Sequence, residues 1–117
     1  MNQDLEKLIS LHDLDVMIED LSTDDIRNQE ELLGLSTDDA LAELRTLREK
    51  FCESINKRYL ALYRQLSGHY GNAVVPALQG RCSGCLTRLP TAMCSSPDRN
   101  EHVRTCPTCG RVIYWAD

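Results

Sequence analysis

The sequence has no long apolar run. No stretch approaches the roughly 20 consecutive apolar residues that a membrane-spanning helix needs. Nor does it have a secretory signal: Met1-Asn2-Gln3-Asp4 is acidic and no apolar segment follows, so a cytoplasmic chain is expected. A Ser/His/Asp set and a glycine loop able to cradle phosphate are also missing, which argues against an enzyme. Glycine and proline are scarce, six and four in 117 residues, and none falls between Thr37 and Ser67. That interval therefore contains no strong helix breaker.

Six cysteines stand out against this background. Cys82-Ser83-Gly84-Cys85 and Cys106-Pro107-Thr108-Cys109 are two Cys-x-x-Cys pairs separated by twenty residues. Each pair can wrap a tight turn with both sulfurs facing one point, so the spacing predicts a single four-thiolate zinc site. Disulfides are the alternative, and the cytoplasmic expectation argues against them. Four thiolates fill a tetrahedral ion and leave no place for substrate, which makes the zinc structural. Pro107 suits the start of the second turn, and Gly110 can take a left-handed conformation after it. The first turn, with Gly84 inside and Leu86 following, reads as less regular. Cys52 and Cys94 fit no ligand spacing and are expected to be bystanders.

Charge is unevenly spread. Residues 1–39 carry twelve acids and two bases, residues 40–67 three acids and six bases, and residues 68–117 three acids and five arginines. The net charge of −5 argues against a general nucleic-acid binder.

Leu5, Leu8, Leu11, Leu14, Ile18 and Leu21 recur at helical steps and predict a first amphipathic helix. Leu21-Ser22-Thr23-Asp24-Asp25-Ile26 is echoed by Leu35-Ser36-Thr37-Asp38-Asp39-Ala40, and each copy has the chemistry of a helix start. Gly34 before the second copy predicts a turn near 34–36, while the first copy reads as either a break or a kink. From Thr37 to about Ser67, Leu41, Leu44, Leu47, Phe51, Ile55, Leu62 and Leu66 mark one face, with Tyr59 and Tyr63 beside it. This predicts one helix about 46 Å long, folded back antiparallel on the first.

Ser67-Gly68-His69-Tyr70-Gly71-Asn72 ends the helical region. Three short strands are expected at 73–78, 103–105 and 112–115, and Pro76 predicts an edge position for the first. Residues 86–100 read as irregular. The predicted fold is α+β: a helical hairpin or short coiled coil over 1–67, then a three-stranded zinc ribbon over 68–117, a piece small enough to need its metal.

Leu8-Ile9-Ser10-Leu11-His12-Asp13-Leu14-Asp15, Gly71-Asn72-Ala73-Val74-Val75 and the cysteine turns running into Gly110-Arg111-Val112-Ile113-Tyr114-Trp115 resemble the bacterial C4-type zinc-ribbon, coiled-coil family. The resemblance covers the last fifty residues well and the first twenty loosely. It implies Cys82, Cys85, Cys106 and Cys109 as zinc ligands and a cytosolic, non-enzymatic adaptor. Studied relatives serve flagellar or type III secretion, and some bind an alternative sigma factor or messenger RNA. The hairpin here is much shorter than the family's usual one.

Three functional expectations follow. The first is a protein-binding adaptor. The second is a regulator that looks like the RNA polymerase secondary-channel proteins, with Asp38 and Asp39 near the hairpin tip. The third is a nucleic-acid binder in which Arg81, Arg88, Arg99, Arg104 and Arg111 contact phosphate and Tyr114 or Trp115 stacks on a base. Candidate partner-binding residues are thus Asp38, Asp39, Arg111 and Trp115, and spare apolar helix surface leaves room for pairing with a second copy.

Overall fold

A computed structural model describes residues 1–22 and 37–116. The elements in chain order are helices α1 (Gln3–Leu21), α2 (Thr37–Ser54) and α3 (Lys57–Ser67), strands β1 (Val74–Leu78) and β2 (Arg81–Cys82), a short helix α4 (Thr91–Ser95), and strands β3 (Arg104–Thr105) and β4 (Val112–Trp115). The chain is mixed α and β, with helices first and a small sheet after them. No helix among the described residues is long and apolar enough to cross a membrane. By its internal contacts the chain divides into two compact units, residues 10–54 and residues 1–9 with 55–117.

In the first unit, the leucine stripe of α1 continues inward through Leu11 and Leu14, both buried, as is Leu41 of α2. Arg48 of α2 donates to the Asp15 carboxylate at 2.5 Å. Ile18 shares a groove with Arg45 and Arg48. α1 ends at Leu21, and the Ser22 hydroxyl turns back to donate to the Ile18 carbonyl at 2.7 Å. The predicted turn near 34–36 and most of the repeated capping stretch lie outside the described residues.

The single helix expected from Thr37 to Ser67 is two helices. α2 stops at Ser54 and α3 starts at Lys57. Asn56 has extended backbone (φ −55°, ψ 131°), and its side chain caps α3 by accepting from Arg58 N at 3.0 Å. Its own N–H donates to the Asp4 carboxylate at 3.1 Å. Asn is a poor helix-interior residue and a good N-cap because its short side chain competes for backbone partners. The break resets the phase of the buried face: Leu60, Tyr63 and Leu66 are buried in α3, whereas Leu62 is only partly so. In the other unit Leu47 is exposed rather than core.

The second unit is built on the sheet, whose strand order is β2-β1-β4-β3. The predicted three-stranded ribbon is therefore corrected to four strands. β1 and β4 run parallel in the middle, with Val74 opposite Val112 and Ala77 opposite Trp115. β2 and β3 flank them antiparallel. The missed strand β2 follows β1 through a two-residue turn, Gln79-Gly80, with both φ angles positive (51° and 75°). That is the hairpin geometry whose twist matches the strands.

Pro76 does not make β1 an edge strand. The β2 ladder pairs only Ala77 and Leu78, so it needs no donor from Pro76. The Pro76 carbonyl instead accepts from Ser83 N at 3.2 Å and from Ser83 Oγ at 2.6 Å. Side chains alternate along the strands, and one face gathers Val75, Ala77, Ile113 and Trp115 with Cys82, Cys106 and Leu89 into a buried cluster. Residues 86–100, expected to be irregular, contain α4 and finish on a clip. Asn100 accepts from Trp115 N at 2.8 Å and donates to its carbonyl at 2.7 Å, taking the place of a further strand at the end of β4.

Candidate metal centre

Each cysteine pair sits where a strand stops. The first turn leaves β2 at Cys82, and the second lies in the loop between β3 and β4. Both close with the same hydrogen bond: Leu86 N donates to the Cys82 carbonyl at 2.8 Å, and Gly110 N donates to the Cys106 carbonyl at 2.9 Å. Both also place the residue after the second cysteine in the left-handed region, Leu86 at φ 63° and Gly110 at φ 82°. The first turn, expected to be the less regular, is thus a copy of the second with a leucine where glycine fits.

The two turns bring four sulfurs together. The Sγ atoms of Cys82, Cys85, Cys106 and Cys109 all lie within 4.8 Å of one another. Cys82 to Cys109 and Cys85 to Cys106 are each 3.8 Å, far beyond the roughly 2.0 Å of a disulfide, and all six cysteines are free thiols. Cys82 and Cys106 are buried, Cys85 and Cys109 partly so. Among the described residues these four sulfurs can hold a metal ion.

The electrostatics differ within the first pair. Burial pushes the Cys82 thiol up to about 12, against the pull of the Cys85 and Gly84 backbone N–H groups. Cys85 is drawn down to about 6, chiefly by the Thr87 side chain and then by the Thr87 backbone N–H. Such donors stabilise sulfur charge and orient ligands.

Arg111, a candidate contact residue, is built into this centre instead. It is 9% exposed. Its Nε donates to the Asn72 carbonyl at 3.0 Å and lies 3.2 Å from Asn72 Oδ1, and its guanidinium lies 3.7 Å from the centre of the Tyr70 ring. Tyr70 in turn donates its hydroxyl to the Cys109 carbonyl at 3.0 Å. A Cβ on Gly84 would come within 2.6 Å of Arg111 Cδ, so glycine at 84 lets the arginine cross the first turn. Arg111 thus links both turns, a role its place after Gly110 hinted at but could not specify.

Trp115 is 4% exposed inside the cluster that contains Cys82 and Cys106, so it and Arg111 are both buried. Of the other arginines, Arg99 donates to the Cys94 carbonyl and Arg104 pairs with Asp98, leaving Arg81 and Arg88 exposed. Asp38 and Asp39 are exposed in the first turn of α2, where acids suit the helix dipole. Cys94 packs on the buried cluster without joining the four sulfurs, and Cys52 lies 3.8 Å from Arg48 Nη1.

No family model matches the sequence, and a search of curated proteins finds no match. Two solved structures share the fold. CT398 from Chlamydia trachomatis has a TM-score of 0.59 at 22% identity, over 83% of this chain and 41% of its own. The HP0958 protein from Helicobacter pylori has a TM-score of 0.59 at 20% identity, over 80% of this chain and 38% of its own. The chain thus spans about two fifths of the length of the proteins it resembles.

Proposed function

We propose that the chain is a non-enzymatic, cytoplasmic adaptor whose sheet is a zinc ribbon and whose helices form a short coiled-coil hairpin. The observation that carries the metal assignment is the sulfur spacing. Four sulfurs at tetrahedral corners about 2.3 Å from a zinc ion stand about 3.8 Å from one another; Cys82–Cys109 and Cys85–Cys106 are each 3.8 Å apart, and all four sulfurs lie within 4.8 Å. Thiolates suit zinc by softness, and a tetrahedral preference fits this set. With four protein sulfurs the ion has no open position, so its role is to hold Cys82, Cys85, Cys106 and Cys109 and the strands that carry them.

The adaptor reading rests on what that closed centre leaves. Among the described residues no nucleophile and base are paired at it, and Arg111, Tyr70 and Trp115 pack around it. Its activity is then to present surface to another protein, with a secretion or flagellar component or a sigma factor as the partner class. The test is capture from a bacterial lysate with the zinc-loaded chain, with and without nuclease, at low and high salt. A defined protein retained through nuclease and salt supports the adaptor. Recovery of nucleic acid alone, lost at high salt, would contradict it.

Exposed Asp38 and Asp39 favour one second reading, in which the acidic start of α2 engages RNA polymerase. In that case Asp38→Ala with Asp39→Ala abolishes polymerase capture and leaves helix content nearly unchanged. Unaltered capture by the double variant would remove this reading.

A further inference from the structure

Leu78, Arg81 and Arg88 form a row. Leu78 is directly opposite Arg81 across the β1–β2 hairpin, and Arg81 is directly opposite Arg88 in an isolated antiparallel bridge. That bridge is framed by the hydrogen bonds from Cys82 N to the Thr87 carbonyl and from Leu89 N to the Gly80 carbonyl. Directly opposed residues point to the same side of a sheet, with Cβ atoms about 4.5–5.5 Å apart. The row therefore puts two like-charged side chains directly opposite each other, an arrangement that is unfavourable on its own. Neither arginine has a carboxylate partner among the described residues, and the hydrogen bond that Arg81 makes is to the Leu86 carbonyl at 3.4 Å. Leu78 and Leu86 beside them are 47% and 70% exposed.

The chain carries the complementary surface on α1. Asp13, Val16, Met17 and Asp20 are spaced i, i+3, i+4, i+7 and so share one helix face. All four are exposed, Val16 by 39% and Met17 by 49%. Of the six large exposed apolar side chains among the described residues, four belong to these two surfaces. The dimensions also agree: the seven helical steps from Asp13 to Asp20 span about 10.5 Å, and three strands side by side span about 10 Å.

We propose that these two surfaces bind each other between copies of this chain, with Asp13 and its neighbours on α1 of one copy answering Arg81 and Arg88 of the next, and Val16 and Met17 covering Leu78 and Leu86. The contact is heterologous. Each copy keeps one face and one row for further copies, so the chain assembles head to tail or closes into a ring.

Light scattering on the zinc-loaded chain over a range of concentrations tests this. The expected result is a mass that rises with concentration, with an association constant lowered at least tenfold when salt goes from about 50 to about 500 mM, where the screening length becomes only a few ångströms. The Arg81→Ser/Arg88→Ser variant and the Asp13→Lys variant are each monomeric alone, with unchanged circular dichroism and zinc content. Mixed, they form a 1:1 heterodimer and stop there, because one supplies an intact row and the other an intact face. A monomeric parent chain, association that survives in either variant, or association lost on nuclease treatment would overturn the proposal. A mixture that remains monomeric would do so as well.

Discussion

Leu86 takes a backbone conformation that costs an L-residue with a Cβ roughly 1–2 kcal/mol and glycine little. It is 70% exposed, so little packing offsets that cost. Leu86→Gly is expected to stabilise the zinc-loaded chain by about 1 kcal/mol, measured by thermal unfolding at fixed zinc. A lower midpoint would show that the Leu86 side chain contributes more than its exposure suggests. The two thiols of the first turn contribute to the pH response of metal binding. Metal binds thiolates, so every bound thiol proton must leave. Cys82, raised to about 12, releases a proton across the neutral range. Cys85, lowered to about 6, is ionised above that pH and protonated below it. Affinity for zinc should therefore fall as pH falls, and about tenfold more steeply per pH unit below about pH 6, where one further proton must be displaced. Competition with a chelator of known pH dependence reads this slope, and a pH-independent affinity would contradict it. The four-cysteine cluster was legible in the sequence because Cys-x-x-Cys spacing is local. The left-handed Leu86 and the inward Arg111 were not, because both are imposed by the partner turn brought across in space.

Among the elements, the break at Asn56 is the feature that periodicity concealed. Without Gly or Pro, the apolar positions from Leu41 to Leu66 fit one helix, and a single Asn weighs little against that pattern. The structure favours the break because Asn56 gains its Arg58 cap and the Asp4 carboxylate accepts from its N–H. Asn56→Ala should cost about 1 kcal/mol, seen in the denaturation midpoint with little loss of helical signal. A clear gain in stability and helix content would mean that the continuous helix is the better state. β2 was missed for a related reason: two residues are too few for an alternating pattern, and Gln79-Gly80 is a weaker turn signal than Asn-Gly. The parallel β1–β4 pair was illegible because it depends on where the long connection returns the chain. Asn100, within the stretch read as irregular, holds the end of β4 through both Trp115 backbone groups. Asn100→Ala should cost about 1–3 kcal/mol by leaving those groups without partners, checked by chemical denaturation.

At the scale of the molecule, the metal centre and the core of residues 1–9 and 55–117 are one structure. Cys82 and Cys106 belong to the same buried cluster as Val75, Ile113 and Trp115. Sites of this kind contribute about 10–16 kcal/mol on metal binding in small peptides, comparable to the whole stability of a domain. Chelation should therefore open the cluster rather than merely empty a pocket. The sole tryptophan, Trp115, reports this directly: its emission should shift to the red on chelation and return with added zinc. The α+β class and the four-sulfur site follow from patterns within short stretches of sequence, while the mixed sheet that carries them follows from contacts far apart in the chain. The central claim is that four cysteine sulfurs close around one structural zinc ion. The measurement that tests it most directly is zinc-edge X-ray absorption on the purified chain with its metal content quantified. One zinc per chain with four sulfurs at about 2.3 Å is the predicted result. A shell containing oxygen or nitrogen in place of a sulfur would contradict it, since one of the four cysteines would then not be a ligand.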